Sequence, residues 1–303
     1  MGLRDLFEPY YCSWSADQSA QHRQCLERLL ADPTLQPHSH HASAERDRRR
    51  FVLGKPTGCP WHDRPMTADA PTILATSMGF NRARNPWQPG PIFDFAFELA
   101  SSAPKPRLCF IATANGDQAE VISRFYEAFR ASGVHTSHIA LFDKPNHASP
   151  RDHLLAQDVI WVDRGSVANL LAVWRVHRLD EILCECWQAG VVLGGESAGS
   201  MCWHVGGTTD SFGDVQPIRD GLGFLPYSNT VHYAERRDLY HRLVVDQMLP
   251  AGYATDAGAG LYYRGTELVE AVADRDHAAA YWVQRGSDGT IREERIEPRR
   301  VRR

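Results

Sequence analysis

The spacing of apolar residues changes near Pro71. Beyond it, short β-branched or apolar runs alternate with longer stretches whose apolar positions recur about every 3.6 residues. "TILATS", "RLCFIAT", "SHIALF", "DVIWV" and "VVLGG" read as strands. Between them, "GPIFDFAFELASS", "DQAEVISRFYEAFRASG" and "NLLAVWRVHRLDEILCECWQAG" carry the spacing of helices packed on a sheet. After Ser197 follow a turn-rich segment from Gly206 to Thr230, a helix around Arg236 to Met248, and several short strands to about Pro298. Alternation of this kind predicts an α/β fold: a doubly wound, mostly parallel sheet with helices on both faces. No internal repeat is visible.

Residues 1–70 lack this period. "PHSHHASAERDRRR" and "GKPTGCPWHDRPMTADAP" are rich in His, Arg and Pro, and only a short helix near Gln21 to Leu30 is expected there. The chain therefore divides into a partly ordered N-terminal extension, 1–70, and an α/β domain, 71–303. Cys59 and His62, with His38, His40 and His41 upstream, match no paired-ligand spacing, so no metal is assigned.

Composition narrows the function class. With 303 residues, 43% of them hydrophobic, a sizeable core is available. A net charge of −4 gives no overall attraction to nucleic acid or anionic membrane. The terminal "RRVRR" is locally basic and reads as a frayed, solvated tail. No run approaches the roughly 18 apolar residues of a membrane span, and the first residues lack the apolar core of a secretion signal. Seven scattered cysteines form no disulfide framework. The expectation is a cytoplasmic protein, compatible with a homo-oligomer.

In open α/β sheets, sites form beyond the carboxyl ends of the strands. Four loops lie at such ends: "SMGFNRARNPW", "ATANGDQ", "VDRGSVAN" and "GGESAGS". The last places Ser197 between Gly195 and Gly199 directly after an apolar strand, the pattern of a nucleophile elbow. A serine hydroxyl needs an imidazole base and a group that orients the imidazole. Downstream, His204, His241 and His277 are candidates, but His232, in a loop between a turn-rich segment and the next helix, is best placed to approach the active face. For the orienting acid, Asp256 ends a short apolar run and Asp210 is its rival. Each also reads as a turn aspartate.

These motifs carry a resemblance. "VVLGGESAGSMCW", "GGTTDSFGD", "DGLGFLPYSNTVHY", "HRLV" and "GYATDAGAGLYYRGTELVE" resemble the peptidase E (aspartyl dipeptidase) family of serine peptidases, with cyanophycinase as a relative, from about residue 71 to 298. The resemblance implies a fold like that of class I glutamine amidotransferases, with Ser197 as nucleophile, His232 as base, Asp256 as orienting acid and Asp210 as a second acid near the site. It further implies oxyanion donors at Ala198 and in the Arg164–Gly165 loop, Arg236 as the residue that receives a substrate carboxylate, and no cofactor. The order Ser, His, Asp differs from that of α/β-hydrolases. The substrate class implied is a short peptide, with dipeptides beginning in aspartate as the narrower expectation.

The chain departs from the family pattern at four positions. Asp163 and Arg164 stand where small residues precede the oxyanion donor, Glu196 stands beside the nucleophile in place of an uncharged residue, and Met78 replaces a common glycine. A non-catalytic homologue that binds a peptide or small molecule is therefore the alternative reading. Amide transfer is a third, but it uses cysteine at the elbow, whereas here Cys202 lies beyond Ser197.

Overall fold

The structure is a computed structural model that describes residue 68, residues 70–100 and residues 105–302. The extension expected over residues 1–70, its helix and its Cys and His residues lie almost wholly outside the described residues.

In chain order, β1 (Thr72–Thr76) leads into a small hairpin, β2 (Phe80–Asn81) and β3 (Gln88–Pro89), and then into α1 (Pro91–Leu99). There follow β4 (Arg107–Ile111), α2 (Ala119–Phe129), β5 (His135–Ile139), α3 (Pro150–Leu155), β6 (Val159–Val162), α4 (Val167–Val176), α5 (Leu179–Gln188), β7 (Val192–Glu196) and the single turn α6 (Ala198–Met201). The second half contributes β8 (His204–Thr209), β9 (Gln216–Ile218), β10 (Leu225–Val231), α7 (Tyr233–Val245), β11 (Gly252–Thr255), β12 (Ala259–Arg264), β13 (Glu267–Ala273), β14 (Ala280–Arg285), β15 (Ile291–Ile296) and β16 (Arg299–Arg300).

These strands form two large sheets. The first runs β16-β13-β12-β1-β7-β6-β4-β5. Its five strands from β1 to β5 are mutually parallel, and β12 joins β1 antiparallel. All five strand candidates of the sequence lie here. The second sheet runs β15-β14-β11-β10-β8-β9, with β8, β10 and β11 parallel at its centre.

Burial explains why the chain folds this way. β1, β4, β6 and β7 are buried almost throughout, as expected of strands covered on both faces. On one face Phe80, Phe93, Phe110, Phe125, Phe129 and Trp161 form an aromatic cluster with the hairpin and helices α1 and α2. Burying each such ring contributes about 1.5–3 kcal/mol relative to exposure. Elsewhere Trp187 and Trp203 both stack on Phe224, and Trp174 packs near Trp203.

Two expectations are corrected. The stretch from Asn169 to Gly190 is two helices rather than one, broken at Arg178, whose φ is +54°. A continuous helix in phase with Leu170 and Trp174 would turn Arg178 inward and Leu179 outward; the break lets Leu179, Leu183 and Trp187 bury. The basic C-terminus is also not frayed. Arg299 and Arg300 pair with Val272 and Ala273, Arg299 bonds Glu270, and Val301 is buried.

Candidate active site

The turn after β7 is held from three sides. Ser197 adopts φ +59° and ψ −106°, a region that residues with a side chain seldom occupy, and its N–H donates to the Thr76 carbonyl at 2.9 Å. Strand β7 lies between β1 and β6, so the turn emerges between their ends. A Cβ on Gly195 would overlap the carbonyls of Gly199 and Val162, and one on Gly199 would overlap the Val162 carbonyl. Both glycines are thus required for α6 to leave the sheet so abruptly. Among the described hydrogen bonds, the Ala198 N–H has no protein acceptor.

The second sheet brings the base. Ser197 Oγ lies 3.4 Å from His232 Nε2. His232 follows β10 and is itself at φ +55°, capping α7. Burial and the Arg236 charge hold its imidazole below the ordinary value of 6.5, partly offset by Glu235, Glu196 and Asp210. A neutral imidazole at neutral pH can accept the serine proton.

The two candidate acids flank this histidine for a topological reason. β10 pairs in parallel with β11 on one side, with Val231 opposite Thr255, and with β8 on the other, with Asn229 opposite Gly207. His232, Asp256 and Asp210 therefore leave the ends of three neighbouring strands. Neither acid is hydrogen-bonded to His232 among the described contacts. Asp256 Oδ2 accepts from Ala279 N–H and from Tyr281 OH, both at 3.2 Å, and lines with His232 a cavity of about 430 Å³. Asp210 is mostly exposed and accepts from Arg236 Nη2 at 3.1 Å. Arg236 is buried, and its Nη1 donates to the Thr208 carbonyl at 2.8 Å, so its guanidinium is already engaged.

On the other flank of the elbow, β6 ends beside β7, and the loop Asp163–Ser166 follows. Its ends are pinned: Asp163 N–H donates to Ile111 O at 2.9 Å and Ser166 N–H to Ala114 O at 2.8 Å. The Asp163 side chain is turned into the protein, where it accepts from Arg82 Nη2 and, at 2.8 Å, from Asn115 Nδ2. Burial raises its carboxyl above the usual range, opposed by Arg82. The Arg164 side chain is half-exposed, with Nη1 4.0 Å from Glu196 Oε1. Gly165 has φ +142°, and a Cβ there would overlap the Ala114 carbonyl. Neither of the two loop amides expected as oxyanion donors, Arg164 N–H and Gly165 N–H, has an acceptor among the described hydrogen bonds. A second cleft of about 610 Å³ opens here, lined among others by Arg82, Arg164, Glu196, Asp274 and Arg275.

The structure thus gathers all four candidate loops: Arg82, Asn115, Asp163 and Glu196 come one from each. His204 is withdrawn from the site, buried in β8 with Nδ1 donating to Ser200 O at 3.0 Å. His241 is tied to Tyr233 and Glu293. His277 lines the His232 cavity. Sequence reasoning missed Arg82 and Tyr281. Arg82 had a signal, since acids at the ends of two adjacent strands, Asp163 and Glu196, call for a cation between them. Tyr281 had none, because only tertiary packing brings it to Asp256. Among the described residues no group of three or more His, Cys, Asp or Glu is arranged to hold a metal ion. No described helix is long and apolar enough to cross a membrane.

Comparison with known proteins gives the family. Residues 91–271, more than half of the chain, match the model of peptidase family S51. An uncharacterized peptidase, YgaJ, from Bacillus subtilis (strain 168) is 41% identical over 186 residues, 60% of this chain and 80% of the relative. The crystal structure of a peptidase from an acI-B1 Actinobacterium superposes with a TM-score of 0.56 at 16% identity, covering 77% of this chain and 96% of that one, which shows a shared fold. With an elbow serine against a histidine at the meeting point of two sheets, and a family match spanning both, the chain belongs to peptidase family S51 and is a serine peptidase.

Proposed function

We infer that the protein hydrolyses short peptides through an acyl-enzyme on Ser197. The observation that carries this reading is the approach of Ser197 Oγ to His232 Nε2 at an elbow whose two glycines admit no side chain. His232 Nε2 takes the hydroxyl proton as Oγ attacks the peptide carbonyl, then gives it to the leaving amine; water, activated the same way, cleaves the ester. The developing oxyanion is received by Ala198 N–H and Gly165 N–H. Asp256 orients the imidazole, with Tyr281 and Ala279 fixing its carboxylate.

The narrower substrate is a dipeptide with N-terminal aspartate. The support is the family resemblance together with Arg236, which can take a substrate carboxylate in place of exposed Asp210. Hydrolysis of Asp-Xaa, Glu-Xaa and neutral dipeptides by wild type and Ser197→Ala tests both levels. Loss of all hydrolysis in the variant supports the nucleophile, and a preference for Asp-Xaa supports the substrate. Equal hydrolysis by both proteins refutes the mechanism.

A binding homologue is the second reading, favoured by Asp163 and Arg164 standing in the loop where the family pattern has small residues. Tight binding of peptides that wild type never cleaves is its signature.

A further inference from the structure

We propose that Arg82 is a positioning residue that clamps the loop Asp163–Ser166 to the nucleophile turn. The inference rests on the acyl-enzyme reading of Ser197 and deepens it. Arg82 comes from the turn of the β2–β3 hairpin, and its Nη2 donates both to Asp163 Oδ1, at the base of the loop, and to Glu196 Oε2 at 3.0 Å, next to Ser197. Its guanidinium carbon lies 4.3 Å from the ring centroid of Trp87 and 5.4 Å from that of Phe80. Aromatic faces set the plane of the guanidinium, and its fixed donors reach two carboxylates at once, which a lysine on a flexible stem does not reproduce.

The clamp ties three strand ends into one unit. Asp163 is also held by Asn115 from the loop after β4, so Arg82 connects the ends of β4, β6 and β7 to the hairpin after β1. Without Arg82, the buried Asp163 and the largely buried Glu196 would face one another with no cation between them. Arg164 cannot substitute, because its half-exposed side chain only approaches Glu196 at 4.0 Å. Loss of the Arg82 hydrogen bonds, with repulsion added while Asp163 keeps its charge, would then free the loop bearing Gly165 N–H from the turn bearing Ser197, and a donor misplaced by a fraction of an ångström loses its effect. The departures from the family pattern at Asp163 and Glu196 thus form a mutually compensated set with Arg82.

The test uses the full chain with Arg82→Met and with Arg82→Met combined with Asp163→Asn, which also removes the buried counter-charge. Three quantities are read: phosphonylation of Ser197 by an uncharged diaryl phosphonate, kcat and KM on a cleaved dipeptide, and amide hydrogen exchange across residues 159–166. In both variants labelling and kcat should fall by about 10²- to 10³-fold, as for loss of one oxyanion donor. KM should stay within about threefold. Exchange at Asp163 and Ser166, whose N–H groups donate to Ile111 O and Ala114 O, should quicken by about tenfold or more while Val159–Val162 stay protected. If Arg82→Met instead loses protection throughout β6, the double variant decides: slow labelling with fast loop exchange upholds the clamp. Wild-type labelling and loop exchange in either folded variant overturn it. Failure of the acyl-enzyme reading is separate. It would appear as wild-type protein that is not labelled at Ser197, and loop exchange would then still uphold or overturn the clamp.

Discussion

Ser197 and His232 meet at 3.4 Å from opposite sheets, the serine at the end of β7 and the histidine at the end of β10, each on a backbone with φ near +55° to +60°. Two conformations disfavoured for residues with side chains occur where the hydroxyl and imidazole approach, and the surrounding packing must sustain both. A contact at this distance can shorten when substrate fills the site.

His232 must be neutral to act, and its environment lowers its pKa below 6.5, burial first and Arg236 second. The acid limb of kcat/KM should therefore have its midpoint below 6.5, with activity lost as pH falls through it. Glu235 pulls the midpoint upward, so Glu235→Gln should shift it further toward acid. A midpoint above 6.5, or a shift toward alkali in the variant, would contradict this assignment.

Asp256 and Asp210 leave equivalent positions on either side of His232, but only Asp256 shares its cavity with a carboxylate fixed by Tyr281 and Ala279. Asp256→Asn should lower kcat by about 10²- to 10⁴-fold, as for loss of an orienting acid. Asp210→Asn should cost less. Steady-state kinetics on both variants checks this, and a larger loss at Asp210 would transfer the orienting role.

That equivalence also shows what was legible from the chain. Of the five parallel strands, β1, β4, β6 and β7 could be read because each is built on a short, buried apolar run, β5 only from the apolar residues at its carboxyl end, and Ser197 because two glycines bracket it after such a run. The tie between Asp256 and Asp210 could not be broken, since each follows a β-strand end and their difference lies in partners distant in sequence, Tyr281 and Arg236. The second sheet was hidden for a related reason: β8 and β10 contain Gly, Thr, Ser and Asn that are buried yet do not read as apolar. The helix break at Arg178 depended on which face meets the sheet, which helical period alone leaves open.

Gly199 approaches the Val162 carbonyl so closely that Gly199→Ala must push α6 away from β6. Overpacking of this kind destabilises by about 1–3 kcal/mol. Denaturant unfolding should show that loss, and hydrolysis should fall with it because Ser197 sits at the base of α6. Unchanged stability and activity would mean that the elbow is looser than described.

His204 is fully buried and neutral, and burial pushes its imidazole down to about 3. The unfolded chain binds its proton near 6.5, so stability from this group is complete above that pH and declines as pH falls from 6.5 toward 3. The slope is about 1.4 kcal/mol per pH unit. His204→Asn should remove that share of the slope between pH 6 and about 4.5, whatever its starting stability. An unaltered slope in urea denaturation would count against a buried neutral His204.

The most direct measurement is covalent trapping of the nucleophile: wild type, Ser197→Ala and His232→Ala are treated with a peptidyl diaryl phosphonate, followed by intact mass and peptide mapping. The account predicts one adduct per chain on Ser197 in wild type, none in Ser197→Ala, and labelling of His232→Ala slowed by about 10³-fold or more. An adduct on another residue, or wild-type labelling in the absence of Ser197 or His232, would contradict it.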